Sequence, residues 1–338
     1  MLTATQNRIL EAIRAHAYQS RLIGLGRTLI AVSQLSVLVF TPSEYLFVPV
    51  GSQTFEMACD QVRSASAYCI IPGSPQTTSY VLMAILALVA SGLLPRLTAP
   101  LHFWASFSMA SSISLPDGGE SVAQVMTFFL VFALAGDRRR WHWAKHEVAA
   151  ETFAPSALRA VSWSGAWALR LQVAYLYANS SLAKLSVPQW QEGSATYYVA
   201  RMESFGSAGI FGDSFRDVVA IPLVSLATSW GSIVAEFAIA ILVLMPFRNT
   251  ARATLCISIA LHTFIGLMLG IVSFAVIMVG SVTAAVGVVL DRRQVHDAQL
   301  NTPQTEKLPG APIPQTGLTH IAHPDTASAN GRASATTP

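Results

Sequence analysis

The chain has 338 residues, of which 52% are hydrophobic and only 12% charged, with a mean hydropathy of +0.48. Soluble domains are typically about 25% charged, so this composition excludes an ordinary soluble globular protein and points to a bilayer as the main solvent. The net charge of +3 comes from basic residues spread through short loops beside apolar runs, which reads as topology signalling and excludes a nucleic-acid surface.

Residues 1–27 carry Arg8, Arg14, Arg21 and Arg27 against one acid, Glu11, with Ile9, Leu10 and Ile13 on one helical face. This predicts a cytoplasmic amphipathic lead-in, and the late apolar core without a small-residue cleavage site argues against a cleaved signal peptide. A first, short span is predicted from Thr28 to Phe40. The loop from Thr41 to Thr78 holds Glu44, Glu56 and Asp60 against Arg63, and that poverty in basic residues puts it outside. Further spans are predicted at Ser79 to Leu94, at Leu97 to Leu115 with His102 and several serines, and at Ser121 to Gly136. The turn PDGGE at 116–120 falls outside, and DRRRWHWAK at 137–145 fixes the inside.

The fifth span is predicted at Val161 to Leu185, followed by an outer loop with Arg201, Asp213 and Arg216. Val218 to Thr228 is expected on or partly in the membrane, ahead of a sixth span from Ser229 to Phe247. Residues 253–290 are apolar over about 38 positions, nearly twice a hydrocarbon core about 30 Å thick at 1.5 Å per residue. They are expected to form a hairpin turning near Gly270. The fold class expected is thus all-α, a polytopic transmembrane bundle (28–290) of about eight spans with its N-terminus inside. Counted this way, about fourteen of the 21 lysines and arginines lie on the inner side. The segment 291–338 starts with Asp291, Arg292 and Arg293 inside, then turns rich in Pro, Thr, Ala, Ser and Gly, the composition of a disordered cytoplasmic tail.

The chain has no internal repeat, no G-x-S-x-G, no Walker lysine loop and no H-E-x-x-H, so the common hydrolase, nucleotide and zinc-protease signatures are missing. Its polar residues within the spans are the informative ones. In LRLQVAYLYANSSLAKLSVPQWQEG, 169–193, a helix places Gln172, Tyr175 and Asn179 on one stripe and Arg170, Tyr177 and Lys184 on the opposite one. Two polar stripes predict a helix inside the bundle or lining a wet cavity. Lys184 reads either as a snorkelling anchor or as a desolvated base. Glu236, in the sixth span, is placed to pair with Arg170 or Lys184, in a structural or a catalytic role. His102 and His262 read as proton carriers or as hydrogen-bonded packing residues.

Cys59 and Cys69, ten positions apart in an outside loop, read as a structural disulfide by default, with a redox-active pair as the alternative. Cys256 reads as a buried small apolar residue. His142 and His146 have helical metal-ligand spacing, but their basic, aromatic-rich setting is expected to pack at lipid headgroups, and no metal site is assigned.

The run from Tyr175 through Lys184 and Leu185 to Trp190 and Gly193 resembles the membrane domain shared by vitamin K-dependent gamma-carboxylases and their bacterial relatives, the HTTM superfamily. Within it the chain is most similar to the SdpB family, membrane proteins encoded with secreted antimicrobial peptides of the sporulation-delaying type. Supporting pieces across about residues 20–290 are the paired Cys59 and Cys69, SGLLPRL with LHFWASFSMASSISLPDGGE at 91–120, and DRRRWHW at 137–143. Resemblance to the carboxylases implies that Lys184 stands where their catalytic base deprotonates a reduced quinone, although the large lumenal substrate-binding domain of those enzymes has no counterpart here. Resemblance to the SdpB family implies a plasma-membrane protein that helps produce an active peptide from a secreted precursor, with a small companion protein. The site expected comprises Lys184, His262 and Glu236 as catalytic residues, with Arg170, Gln172, Tyr175, Asn179, Trp190, Gly193 and His102 binding. A quinone-using enzyme and a non-catalytic peptide-binding or immunity protein are the alternative readings.

Overall fold

The computed structural model describes residues 2–14, 16, 19–48, 57, 59–114, 118–144, 156–203, 206–207 and 212–300. Every regular element among them is helical, and their one β-type pairing is an isolated bridge between Leu93 and Trp141. The longer helices are α1 (Leu2–Arg14), α2 (Arg21–Phe40), α3 (Pro75–Ser91), α4 (Pro95–Ser112), α5 (Gly119–Ala133), α6 (Ser156–Leu185), α7 (Pro222–Leu242), α8 (Arg248–Leu269) and α9 (Val272–Leu300). Among the described residues, α2, α7, α8 and the Val272–Asp291 stretch of α9 are long and apolar enough to cross a membrane. Helices α3 and α5 are apolar but shorter, at 17 and 15 residues.

Local chemistry sets the helix ends, and it corrects two sequence boundaries. Ser20 caps α2 by accepting from the Ile23 amide, so the helix starts at Arg21 and takes in Arg27, seven positions before the expected span. Pro222 stands at the first turn of α7, where its missing N–H costs nothing. Of the stretch Val218 to Thr228, expected on or partly in the membrane, residues 222–228 are the first third of that helix and Val218 ends a separate short one (Gly212–Val218); Glu236 lies well inside α7. The long apolar run breaks at Gly270, where φ of +75° ends α8 and lets α9 return.

Helix α2 packs most extensively on α9. The seam is made of glycine: a Cβ on Gly26 would lie 2.4 Å from the Gly280 carbonyl oxygen, and one on Gly287 would lie 2.9 Å from the Ile23 amide. Between helices whose surroundings are apolar too, such close backbone approach supplies the association that water supplies in soluble proteins. Gly165 on α6 does the same against Ala133 of α5, with a notional Cβ 2.3 Å from its amide. The main core fills the space among α2, α5, α6, α7, α8 and α9, with Leu130, Leu169, Ile239 and Val282 at its centre.

The two ends of the bundle are closed differently. At one end, Cys59 and Cys69 are bonded, with Cα atoms 5.7 Å apart. The loop they staple docks on α4 through the Ala67 amide to Ser108 Oγ at 2.8 Å and Trp104 Nε1 to the Ala65 carbonyl at 2.9 Å. Tyr68, beside the disulfide, contacts Ser79 Oγ at 3.0 Å, and burial pushes its phenol up to about 12 against the pull of that bond.

The other end is closed by residues 137–144. Arg139 grips Asp137 and donates to the His142 carbonyl at 2.9 Å. Trp141 and Trp143 both donate their indole N–H to the Ser91 carbonyl. The imidazole of His142 sits where side chains of Gly24 and Gly92 would be, and it is fully buried. That overturns its expected place among lipid headgroups, because two facing glycines leave a slot the ring fills. Burial first, then the nearby Arg27 and Arg139 guanidiniums, lower the His142 imidazole to about 4. Of the tail expected to be disordered over 291–338, residues 291–300 instead continue α9 as helix, and the rest, with Lys145 and His146, lies outside the described residues.

Candidate functional site

Four helices and the loop after α6 surround a cavity of about 450 Å³. Helical spacing supplies its polar wall: Tyr177, Ser180 and Lys184 on α6 and Thr228, Ser232 and Glu236 on α7 recur every three or four residues, joined by His262 on α8, with Ser258 one turn behind it. Between them the lining is apolar, including Leu176, Phe215, Leu261, Phe264 and Phe274.

Two polar stations stand out in that wall. At the first, Lys184 Nζ lies 2.7 Å from each carboxylate oxygen of Glu236 and 2.8 Å from Ser180 Oγ. An ammonium has three protons, so all of them are spoken for. The Trp190 ring covers the same nitrogen at 5.2 Å. The pair is electrically neutral, with side-chain exposures of 18% and 9%. At the second station the Tyr177 hydroxyl lies 2.7 Å from His262 Nε2 and 3.3 Å from Ser258 Oγ, with both rings buried. His262 also borders a separate apolar groove of about 280 Å³ that runs past Leu29, Gly266 and Val276.

Gly193 shapes the loop that carries Trp190. Its φ of +76° closes the turn, Leu226 occupies the space a Cβ would need, and its carbonyl accepts from Ser225 Oγ at 3.0 Å. Trp230 Nε1 then donates to the Gln191 carbonyl at 3.2 Å. The loop is thereby clamped on α7 with the indole over Lys184.

The structure brings together Lys184, Glu236, His262 and Trp190, with Gly193 in support. It does not bring the other expected residues to the cavity. Arg170 donates to the Val243 and Met245 carbonyls at 2.9 Å each and lies 4.4 Å over Trp167. It satisfies the carbonyls beyond the last turn of α7, so Glu236 has Lys184 and not Arg170 as its partner. Tyr175 and Asn179 are exposed on the outer surface of α6 and Gln172 is half-buried there, so only one of the two polar stripes faces inward. His102 is buried between α2 and α4, 3.2 Å from Gln34 Oε1. Cys256 is exposed, not buried, because the packed face of α8 runs through Thr254, Ser258 and His262, about 200° away from it.

Sequence reasoning put Tyr177 on the Lys184 stripe without giving it a role, and it passed over Ser180 and Ser258. The signal was there, in the four-residue steps Ser180 to Lys184 and Ser258 to His262. Chemically, the cavity offers an apolar volume, a neutral ion pair and a phenol–imidazole pair that can hold or pass one proton.

These features define a helical membrane protein with an amphiphilic cavity among its spans. The chain belongs to the same family as YitO of Bacillus subtilis strain 168, to which it is 33% identical over 260 residues, 76% of this chain and 82% of that protein. It is SdpB-like as well: the sporulation-delaying protein SdpB of the same organism is 28% identical over 265 residues, 76% of this chain and 78% of that protein. No protein-family model matches the chain. No solved structure matches it either.

Proposed function

We propose that this chain is a multi-pass plasma-membrane protein that matures or exports a secreted antimicrobial peptide of the sporulation-delaying kind, acting through the cavity at Lys184. The observation that carries this reading is the Lys184–Glu236 pair, held under Trp190 in an otherwise apolar cavity of a chain similar to SdpB. Ionisable groups held within membrane spans cost a few kcal/mol each, and a bundle that needed only stability gains nothing from them. In this reading Lys184, Glu236 and His262 act on the peptide precursor, and a small companion protein shares the task.

Eight crossings with the amino terminus in the cytoplasm fit the alternation of α2 to α9 and put the disulfide loop and the cavity on the outer side. The same arrangement leaves Arg138, Arg139, Arg140 and Arg248 on the inner side. Kinship with the HTTM proteins, gamma-carboxylases among them, rests on the Tyr175–Gly193 motif. The test is mass spectrometry of the peptide secreted by cells carrying the chain, lacking it, or carrying Lys184→Ala at normal membrane levels. Loss of the mature mass with Lys184→Ala supports the reading, whereas an unchanged product sinks it. A chain that by itself protects sensitive cells from added peptide would instead make it an immunity protein.

A second reading, a quinone-using enzyme, is favoured by one feature: hydrogen-bonding stations at Lys184 and at Tyr177–His262 in a single apolar cavity. Such a donor set suits a ring with two carbonyl oxygens, and a bound quinone would supply oxidising or reducing equivalents. Lys184 would have to give up one of its present acceptors to reach it, Tyr177 would orient it, and the apolar walls would exclude water. Quinone extracted with the purified chain and lost in Tyr177→Phe would favour this reading.

A further inference from the structure

At the end of the bundle opposite the disulfide, one buried guanidinium lacks acceptors for part of its hydrogen-bonding fork. Arg139 donates to both carboxylate oxygens of Asp137, at 2.9 Å through Nε and 2.7 Å through Nη2. Arg27 on α2 is 0% exposed, and among the described residues its one hydrogen bond runs from Nη2 to Thr98 Oγ1. Its Nε and Nη1 meet no acceptor among those residues. Asp137 is close enough to act on Arg27 electrostatically, and the charge of Arg27 in turn reaches His102 and His142. Asp291, a second carboxylate at this end, is engaged with Ser20 Oγ and the Leu22 amide. The two guanidiniums thus face two carboxylates, yet neither carboxylate is hydrogen-bonded to Arg27. Arginine stays protonated in proteins, and an isolated charge removed from water is prohibitively costly.

We propose that Arg27 holds a small inorganic anion of chloride size against its Nε and Nη1. The size follows from the packing. A guanidinium with no exposed surface is out of reach of a lipid headgroup, and the neighbouring His142 ring already lies within 2.8 Å of where a Gly24 side chain would begin. The anion gives Arg27 Nε and Nη1 their acceptor and so fixes the guanidinium that ties α2, through Thr98, to the start of α4. It acts at the far end of the bundle from the cavity and is independent of what that cavity does.

The test uses the full chain purified in a mild detergent, with thermal unfolding followed by tryptophan emission at constant ionic strength in chloride, bromide or gluconate. Wild type is expected to gain several degrees, saturably, in either halide over gluconate. Arg27→Gln is expected to unfold at one temperature in all three. Identical wild-type midpoints in the three salts, or a halide response that survives Arg27→Gln, overturns the proposal. Should Arg27→Gln fail to fold, anomalous scattering from bromide-soaked wild-type crystals decides. A peak beside Arg27 supports the site and none at saturating bromide refutes it. Stabilisation in gluconate by phosphatidylglycerol micelles, with no response to halide, would transfer the site to a lipid phosphate and refute the inorganic anion.

Discussion

Removing one partner of the Lys184–Glu236 pair is expected to cost far more than removing both. Breaking a buried pair on one side typically costs about 3–5 kcal/mol, because the remaining charge is stranded. Here the side chains are 18% and 9% exposed beside a cavity, so partial hydration favours the low end, about 3 kcal/mol, for Lys184→Met or Glu236→Gln. Replacing both, as Lys184→Met with Glu236→Leu, exchanges an ion pair for apolar contacts of similar volume, a change that is often close to neutral. The double variant should then cost less than the sum of the singles by at least about 2 kcal/mol. Reversible unfolding in mixed micelles, titrated with a denaturing detergent and followed by tryptophan emission, measures all four corners of the cycle. Killing of a sensitive lawn by the secreted peptide measures function in parallel. Additive stabilities would refute the pairing as an energetic unit. A stable double variant that still yields active peptide would show that the pair is architecture and not the site.

Tyr177→Phe removes the hydroxyl that meets His262 Nε2 and leaves a buried imidazole nitrogen unpaired, at an expected cost of about 1–3 kcal/mol in the same unfolding assay. His262→Phe, which removes the other partner, should restore part of that loss in the Tyr177→Phe background. His142 gives a pH signature. Its folded value of about 4 lies below the ordinary 6.5, so between those values the unfolded chain binds a proton that the folded chain refuses. Its share of stability is complete above about pH 6.5 and falls as pH drops towards 4, by up to about 3 kcal/mol. His142→Asn should flatten the unfolding midpoint against pH across that window, and parallel curves would contradict the assignment. Gly26→Ala drives a methyl into the Gly280 carbonyl and should destabilise by about 1–3 kcal/mol, read as a lower unfolding midpoint.

Much of the bundle was legible because membrane spans announce themselves by length and apolarity, and the break at Gly270 followed from arithmetic on 38 apolar residues. Boundaries at Arg21 and Pro222 were missed for one reason. Apolar runs mark where a helix meets lipid, whereas a serine cap or a proline at the first turn marks where it begins. In the site, Lys184 and Glu236 were legible as rare charges needing partners, and one of the two pairings considered is the one found. Arg170 was misplaced because its bonds to Val243 and Met245 run to backbone carbonyls, which carry no letter in the sequence. Cys256 and the Tyr175–Asn179 stripe failed similarly: periodicity gives the faces of a helix but not which face the neighbours cover.

The glycine seam between α2 and α9 joins the first long helix of the chain to the last. During synthesis α2 leaves the ribosome many seconds before α9 exists, at about 5–20 residues per second, and its buried Arg27 and Gln34 then lack the bundle that shelters them. Helix α2 thus waits long for its partner. A chain cut short before Gly280 therefore leaves the glycine face of α2 without its partner.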